Sequence, residues 1–171
     1  MDQSNKKYSV FIVEDNIPFS LIIKNLVEHY LFSEVTCFAS AEALLAHIEK
    51  AVPDLIITAY HLDGHNPEAM SGRVFIQELN RRNIPVPIVM QSHESNIALA
   101  VDLIKDGAIE YLCKDELFEK RLEKVLLQFS QIDQLNKQIN QHTHSLNKDL
   151  KRLIIIVVMV FTLLMWYLAS V

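Results

Sequence analysis

Cysteine is scarce in this chain of 171 residues, which contains only Cys37 and Cys113. Both lie in apolar stretches with strand character, and a cytoplasmic domain keeps its thiols reduced. We therefore expect two buried, unpaired thiols rather than a disulfide or a metal site. The N-terminus also lacks an apolar run behind a basic cluster, which argues against a secretory signal peptide.

The last segment of the chain, residues 153–171, has no charged residue, no proline and no glycine. As a helix rising about 1.5 Å per residue it would be roughly 28 Å long, close to the hydrocarbon thickness of a bilayer. A buried core helix is the alternative, but such a helix in a small domain should show a polar face. This segment has none, so we expect a transmembrane anchor.

The charge distribution predicts how that anchor is oriented. Lys148, Lys151 and Arg152 precede the apolar segment, and no charged residue follows it. Flanking Lys and Arg favour the cytoplasmic side. Residues 1–152 should therefore face the cytoplasm, with residues 153–171 as a single-pass tail anchor. Residues 1–133 carry 20 Asp and Glu against 12 Lys and Arg, and this acidic excess argues against nucleic acid as a direct partner of the globular part.

Residues 8–129 alternate between short β-branched runs and amphipathic helical stretches. The runs with strand character are residues 8–13, 35–38, 54–58, 87–91 and 110–113. The helical stretches between them are residues 19–31, 41–50, 72–82 and 95–105, with Ser40 as an N-cap and Gly107 as a C-terminal stop. Five βα units in series predict an α/β fold, a (βα)5 doubly wound parallel sheet covered by helices on both faces.

In such a sheet, ligands bind at the carboxyl ends of the strands. Strand one is followed there by Glu14 and Asp15, strand three ends at Ala59, strand four at Ser92 and strand five at Lys114. Two adjacent carboxylates suit Mg²⁺, while the lysine and the serine hydroxyl suit phosphoryl oxygens. Taken singly, the acids could instead favour a helix N-terminus, the serine a turn, and the lysine solvent.

Three motifs give this pattern a family resemblance. Val13-Glu14-Asp15-Asn16, residues 87–92 and residues 107–114 resemble the acidic, hydroxyl and lysine motifs of bacterial response-regulator receiver domains, over roughly three quarters of the chain. Residues 53–62 resemble the third strand and following loop of these domains. The resemblance implies a flavodoxin-like sheet with strand order 2-1-3-4-5, and a phosphoryl-accepting aspartate where this chain has Ala59.

The resemblance also implies roles for the site residues. Glu14, Asp15 and the carbonyl of His61 would hold Mg²⁺, weakened by the missing acid at position 59. Ser92 would be the switch hydroxyl, Tyr111 the switch aromatic and Lys114 the phosphate-facing cation. The chain departs from the family at His93, at Asp115 and in a longer loop over residues 60–71.

Alanine has no side-chain oxygen, so position 59 cannot attack phosphorus or help to bind a metal. As written, the chain is not an enzyme and is not phosphorylatable at this position. The rival hypothesis is a phosphoacceptor, a phosphate sink or relay, whose natural aspartate has been replaced. The retained Glu14, Asp15, Ser92 and Lys114 favour such a recent change, whereas the unusual His93 and Asp115 favour a long-standing one.

Beyond Asp115 there is no glycine or proline before the apolar segment, and a three-four apolar repeat continues. Its heptad seam comprises Phe129, Ile132, Asn136, Ile139, Thr143, Leu146, Leu150 and Leu153. A single amphipathic surface helix is the alternative, but it leaves Ile139 and Leu146 with no sheet beneath them. We expect a parallel homodimer in which Asn136 selects the register, with a stem of roughly 36 Å.

These predictions divide the chain into a receiver domain (residues 1–128), a coiled-coil stem (129–152) and a transmembrane anchor (153–171). Neither a helix-turn-helix nor a nucleotide-cyclase-like segment follows the receiver. We therefore expect a receiver at the bacterial inner membrane that acts by binding a histidine kinase, a phosphotransfer protein or another signalling protein. A purely structural tail-anchored dimer is a third possibility.

Overall fold

The computed structural model describes residues 7–62 and 69–169. The strands are β1 (Tyr8–Val13), β2 (Ser33–Phe38), β3 (Leu55–Ala59), β4 (Ile88–Ser92) and β5 (Glu110–Cys113). The helices are α1 (Ile17–Tyr30), α2 (Ala41–Ile48), α3 (Gly72–Arg81), α4 (Ile97–Asp106) and α5 (Phe118–Ala169). All strand pairs are parallel and the order is β2-β1-β3-β4-β5, which confirms the predicted sheet.

Side-chain caps determine where several helices begin. The Asn16 side chain accepts from the backbone N–H of Phe19, and α1 starts at Ile17, two residues earlier than predicted. Ser40 caps α2 as expected, by accepting from the N–H of Ala43. Gly107 ends α4 in the left-handed region, at φ 117°, where glycine has no Cβ to clash.

The core lies around the central strands of the sheet. Every residue of β3 and β4 is buried, as expected for parallel strands with helices on both faces. Strand β2 is instead an edge strand, and Cys37 on it is exposed while Cys113 is partly buried. The expectation of two buried thiols was therefore wrong, because an edge strand has a neighbouring strand on one side only and its side chains are less covered. Both cysteines are unpaired, as predicted.

The chain divides into two compact units, Met1–Gln128 and Phe129–Val171. In the first unit, the start of α5 buries Phe118, Leu122 and Leu126. In the second, the helix continues unbroken to Ala169, and its apolar seam from Ile132 to Leu153 is exposed to solvent.

The transmembrane helix expected over residues 153–171 is not found. Within the part of the chain that the structure describes, no helix is both long and apolar enough to cross a bilayer. That description leaves out part of the predicted anchor, namely the side chains of 160–165 and 167–169 and the whole of 170–171. The apolar stretch whose side chains are described is therefore short. Residues 63–68 of the loop expected to be long also lie outside it.

Candidate functional site

The carboxyl ends of β1, β3, β4 and β5 meet at one edge of the sheet and enclose a cavity of about 170 Å³. Its lining residues are Glu14, Asp15, Asn16, His61, Gln91, Ser92, His93 and Lys114. The structure thus brings together five of the predicted site residues: Glu14, Asp15, His61, Ser92 and Lys114. Ala59 and Tyr111 do not line the cavity; Ala59 is buried at the end of β3, paired with Gln91 on β4.

A buried ion pair forms part of the cavity wall. Lys114 Nζ is 2.7 Å from Glu14 Oε2, and the two side chains are only 7% and 1% exposed. Gln91 Nε2 donates to the same Glu14 oxygen at 3.0 Å, and the backbone N–H of Asn16 donates to Oε1 at 3.2 Å. The Lys114 ammonium also lies 4.6 Å from the centre of the Phe19 ring. Both oxygens of Glu14 are therefore engaged.

Burial raises the pKa of Glu14 above its ordinary value. The hydrogen bond and charge of Lys114 act in the opposite direction, as does the Asn16 N–H, while the neighbouring charge of Asp15 adds to the increase. Because the pKa remains raised, the ion pair offsets only part of the desolvation of the carboxylate. Lys114 therefore counteracts the effect of burial on the pKa of Glu14 without cancelling it.

A second polar cluster holds the segment that follows β4. The Tyr111 hydroxyl donates to the carbonyl of Glu94 at 2.5 Å, and the Glu94 N–H donates to Ser92 Oγ at 3.2 Å. The Glu94 side chain in turn lies 2.7 Å from His61 Nε2. The predicted switch hydroxyl and switch aromatic therefore contact the same residue, Glu94, although their switching roles stay predictions. Burial raises the pKa of Tyr111.

Sequence comparison identifies the family to which this arrangement belongs. The family model described as the response regulator receiver domain matches residues 10–126. The chain belongs to the receiver-domain family. Nodulation protein W of Bradyrhizobium diazoefficiens is 29% identical over 124 residues, and the transcriptional regulatory protein ZraR of Salmonella typhimurium is 25% identical over 123 residues.

These matches cover 72% and 70% of this chain, but only 52% and 26% of the relatives. The chain therefore spans about half or less of the length of these proteins. Among solved structures, the receiver domain of NtrX from Brucella abortus matches 71% of this chain and 98% of its own, with 23% identity and a TM-score of 0.62. The Francisella response regulator 1452 receiver domain gives a TM-score of 0.65 at 19% identity, over 74% of this chain and 99% of its own. These likenesses show a shared fold.

Receiver domains generally bind Mg²⁺ at their acidic pocket, and the donor groups present here do not fit that ion as they are arranged. Both Glu14 oxygens accept hydrogen bonds, and Ala59 supplies no carboxylate. Across residues 7–62 and 69–169, no cluster of three or more His, Cys, Asp or Glu side chains could hold a metal ion. A site for Mg²⁺ needs several free oxygens in octahedral geometry, so Glu14 would first have to leave Lys114 and Gln91.

Two functional side chains of this receiver were not predicted from the sequence. Gln91 reaches the acidic pocket, and Glu94 connects His61 with Ser92, the last residue of β4. The signal for Gln91 was present, because it is a polar residue at the end of the otherwise apolar run Ile88-Val89-Met90. The signal for Glu94 was absent, since it lies in a surface segment with no periodicity.

Proposed function

We propose that this chain is a membrane-tethered receiver that acts by binding a signalling protein and does not accept a phosphoryl group at position 59. The main support for this proposal is Ala59 at the carboxyl end of β3, beside a pocket in which Lys114 is already paired with Glu14. An oxygen nucleophile is missing where the family resemblance places it. The output is then recognition rather than catalysis.

The partner class follows from the family. Receiver domains interact with histidine kinases and phosphotransfer proteins, and this chain has a complete receiver sheet on which such a protein could dock. The engaged Glu14–Lys114 pair supports a domain held in one arrangement, because no phosphoryl group is needed to neutralise the lysine. We therefore propose binding that does not depend on phosphorylation of the receiver.

Incubating the full chain with acetyl phosphate and Mg²⁺ should yield no base-labile phosphate, because position 59 carries no carboxylate. The measurement is intact-protein mass before and after mild base, with a receiver that carries the acceptor aspartate treated identically as the control. In the same samples, affinity for purified histidine kinases of the same genome should change by less than about twofold on adding the phosphodonor. Stoichiometric base-labile phosphate on the unmodified chain contradicts the proposal.

The membrane part of the proposal is supported by the sequence. Residues 153–171 carry no charge, and three basic residues precede them, which favours a receiver facing the cytoplasm of the bacterial inner membrane. The full chain should therefore stay with the membrane pellet after alkaline carbonate extraction, whereas a chain ending at Arg152 should be released. Release of the full chain under the same conditions would show that the apolar segment is not inserted.

The stem of the proposed protein is a parallel homodimer. Ile139 and Leu146 are 61% and 69% exposed on the single helix, so a partner helix would remove a large apolar surface from water. Asn136, also exposed, lies at a seam position between these residues and Ile132. Thr143 turns its hydroxyl back to the Ile139 carbonyl at 2.9 Å, which satisfies that polar group within the helix.

Replacing Asn136 with isoleucine should raise the melting temperature of the stem and allow species larger than a dimer, because a buried asparagine selects two-stranded pairing at a cost in stability. Chemical cross-linking and helical circular dichroism of the full chain in detergent measure both effects. Gln138→Ile adds the same side chain at an exposed position outside the seam and is the matched control. An Asn136→Ile variant that behaves like this control would show that the seam is misassigned.

A further inference from the structure

Glu14, Ala59 and Gln91 form a row across three neighbouring strands. In the β1–β3 pairing Val13 lies opposite Thr58, so the next residues, Glu14 and Ala59, are level with each other. In the β3–β4 pairing Ala59 lies opposite Gln91. Adjacent strands are about 4.8 Å apart, which places Ala59 midway across a backbone gap of roughly 10 Å between the other two residues.

The side chain of Gln91 crosses this gap. Its Nε2 is 3.0 Å from Glu14 Oε2, although β3 separates the strands that carry the two residues. Gln91 is 0% exposed and Ala59 is 1% exposed, so the crossing takes place in the packed interior. A side chain longer than a methyl group at position 59 would enter the space that the amide occupies.

The hydrogen bonding of Gln91 is one-sided. Its Oε1 is buried with no hydrogen-bond partner among the described residues, while Nε2 donates to Glu14. The opposite amide orientation would set Oε1 against the Glu14 carboxylate, two acceptors together, so the assignment follows from the contacts. A buried side-chain amide whose oxygen has no hydrogen-bond partner is unfavourable in a core strand. Its donor to Glu14 is therefore the feature that distinguishes it from an apolar residue.

We propose that Gln91 is a positioning residue and that Ala59 and Gln91 are a matched pair. The amide fills the volume left by the short side chain at position 59 and supplies Glu14 with a second donor beside Lys114. Gln91 then fixes the Glu14–Lys114 pair, and placing an aspartate at position 59 does not by itself recreate an acceptor pocket. The pairing concerns only the interior of the receiver and is independent of the partner proposed above.

A double-mutant cycle on the full chain in detergent tests this pairing. Gln91→Leu removes the donor at similar volume, and it should lower the melting temperature of the unmodified receiver because Glu14 loses a partner. In the Ala59→Asp background the same change should raise the melting temperature, because leucine, though similar in volume, is one atom shorter than glutamine and does not reach into the space beside position 59. Labelling by acetyl phosphate with Mg²⁺ should be at least tenfold faster in the double variant than in Ala59→Asp alone.

Met90→Leu is the matched control, since Met90 lies opposite Thr58 rather than Ala59 and so belongs to the other face of β4. Its effect on the melting temperature should be the same in both backgrounds. Should Ala59→Asp fail to fold, Ala59→Ser is the smaller intrusion, and its cycle with Gln91→Leu should show coupling of the same sign. Equal effects of Gln91→Leu in both backgrounds, or equal labelling with and without it, would overturn the pairing.

Discussion

Replacing Lys114 with methionine should lower the free energy of unfolding by about 3 kcal/mol, the cost expected when one partner of a buried ion pair is removed. The reason is the isolation of Glu14, whose side chain is 1% exposed and whose pKa burial already raises despite the lysine. Methionine keeps most of the aliphatic volume against Phe19, so lost packing contributes little. Urea unfolding at pH 7, followed by circular dichroism, measures the change.

Two further variants separate the buried charge from other effects. Combining Lys114→Met with Glu14→Gln should restore most of the lost stability, because no uncompensated carboxylate then remains. Lys105→Met, at an exposed lysine in the last turn of α4, should change the free energy of unfolding by less than about 0.5 kcal/mol. If Lys114→Met costs no more than Lys105→Met, the pair contributes nothing measurable to the fold.

The sequence predicted the elements of the receiver because each depends on local patterns. Strand β3 is a run of apolar residues long enough for a strand and too short for a helix, and Ser40 and Gly107 mark helix ends through capping chemistry. The start of α1 was missed by two residues because Asn16 was not recognised as its cap. The exposure of Cys37 was missed although the predicted strand order already placed β2 at a sheet edge, because the apolar character of the run was taken as a sign of burial.

The candidate site, too, was predicted only in part from the sequence. Glu14, Ser92 and Lys114 could be placed together from the sequence, because the carboxyl ends of parallel strands meet at one edge. The bond from Gln91 to Glu14 could not, since it depends on how far an amide reaches across β3 and on the size of Ala59. Side-chain pairing across three strands is decided by packing, which a linear pattern does not encode. The seam and the anchor stay predictions.

Replacing Gly72 with alanine should destabilise the receiver by about 2 kcal/mol, within the range for forcing extra atoms into a packed interior. A Cβ there would lie 2.4 Å from the backbone oxygen of Ala59 and 2.8 Å from Met90 Sδ. Met90 can change rotamer, but the Ala59 carbonyl belongs to β3 and cannot. The start of α3 would have to move away from the sheet, straining the 2.8 Å bond from the Gly72 N–H to the Tyr60 carbonyl.

The movement should also reach the row of Glu14, Ala59 and Gln91, because the displaced contact is the carbonyl of Ala59 itself. In Gly72→Ala, the side-chain amide resonance of Gln91 should shift together with the loss of stability. Gly107→Ala is the contrasting variant. The φ of 117° at Gly107 makes alanine strained there, at a cost of about 1 kcal/mol, but the added Cβ would lie 3.5 Å from the nearest atom, Asn80 Nδ2, and so displaces nothing. It should leave the Gln91 resonance in place. If both variants shift that resonance alike, the close approach of α3 to β3 does not control the pocket.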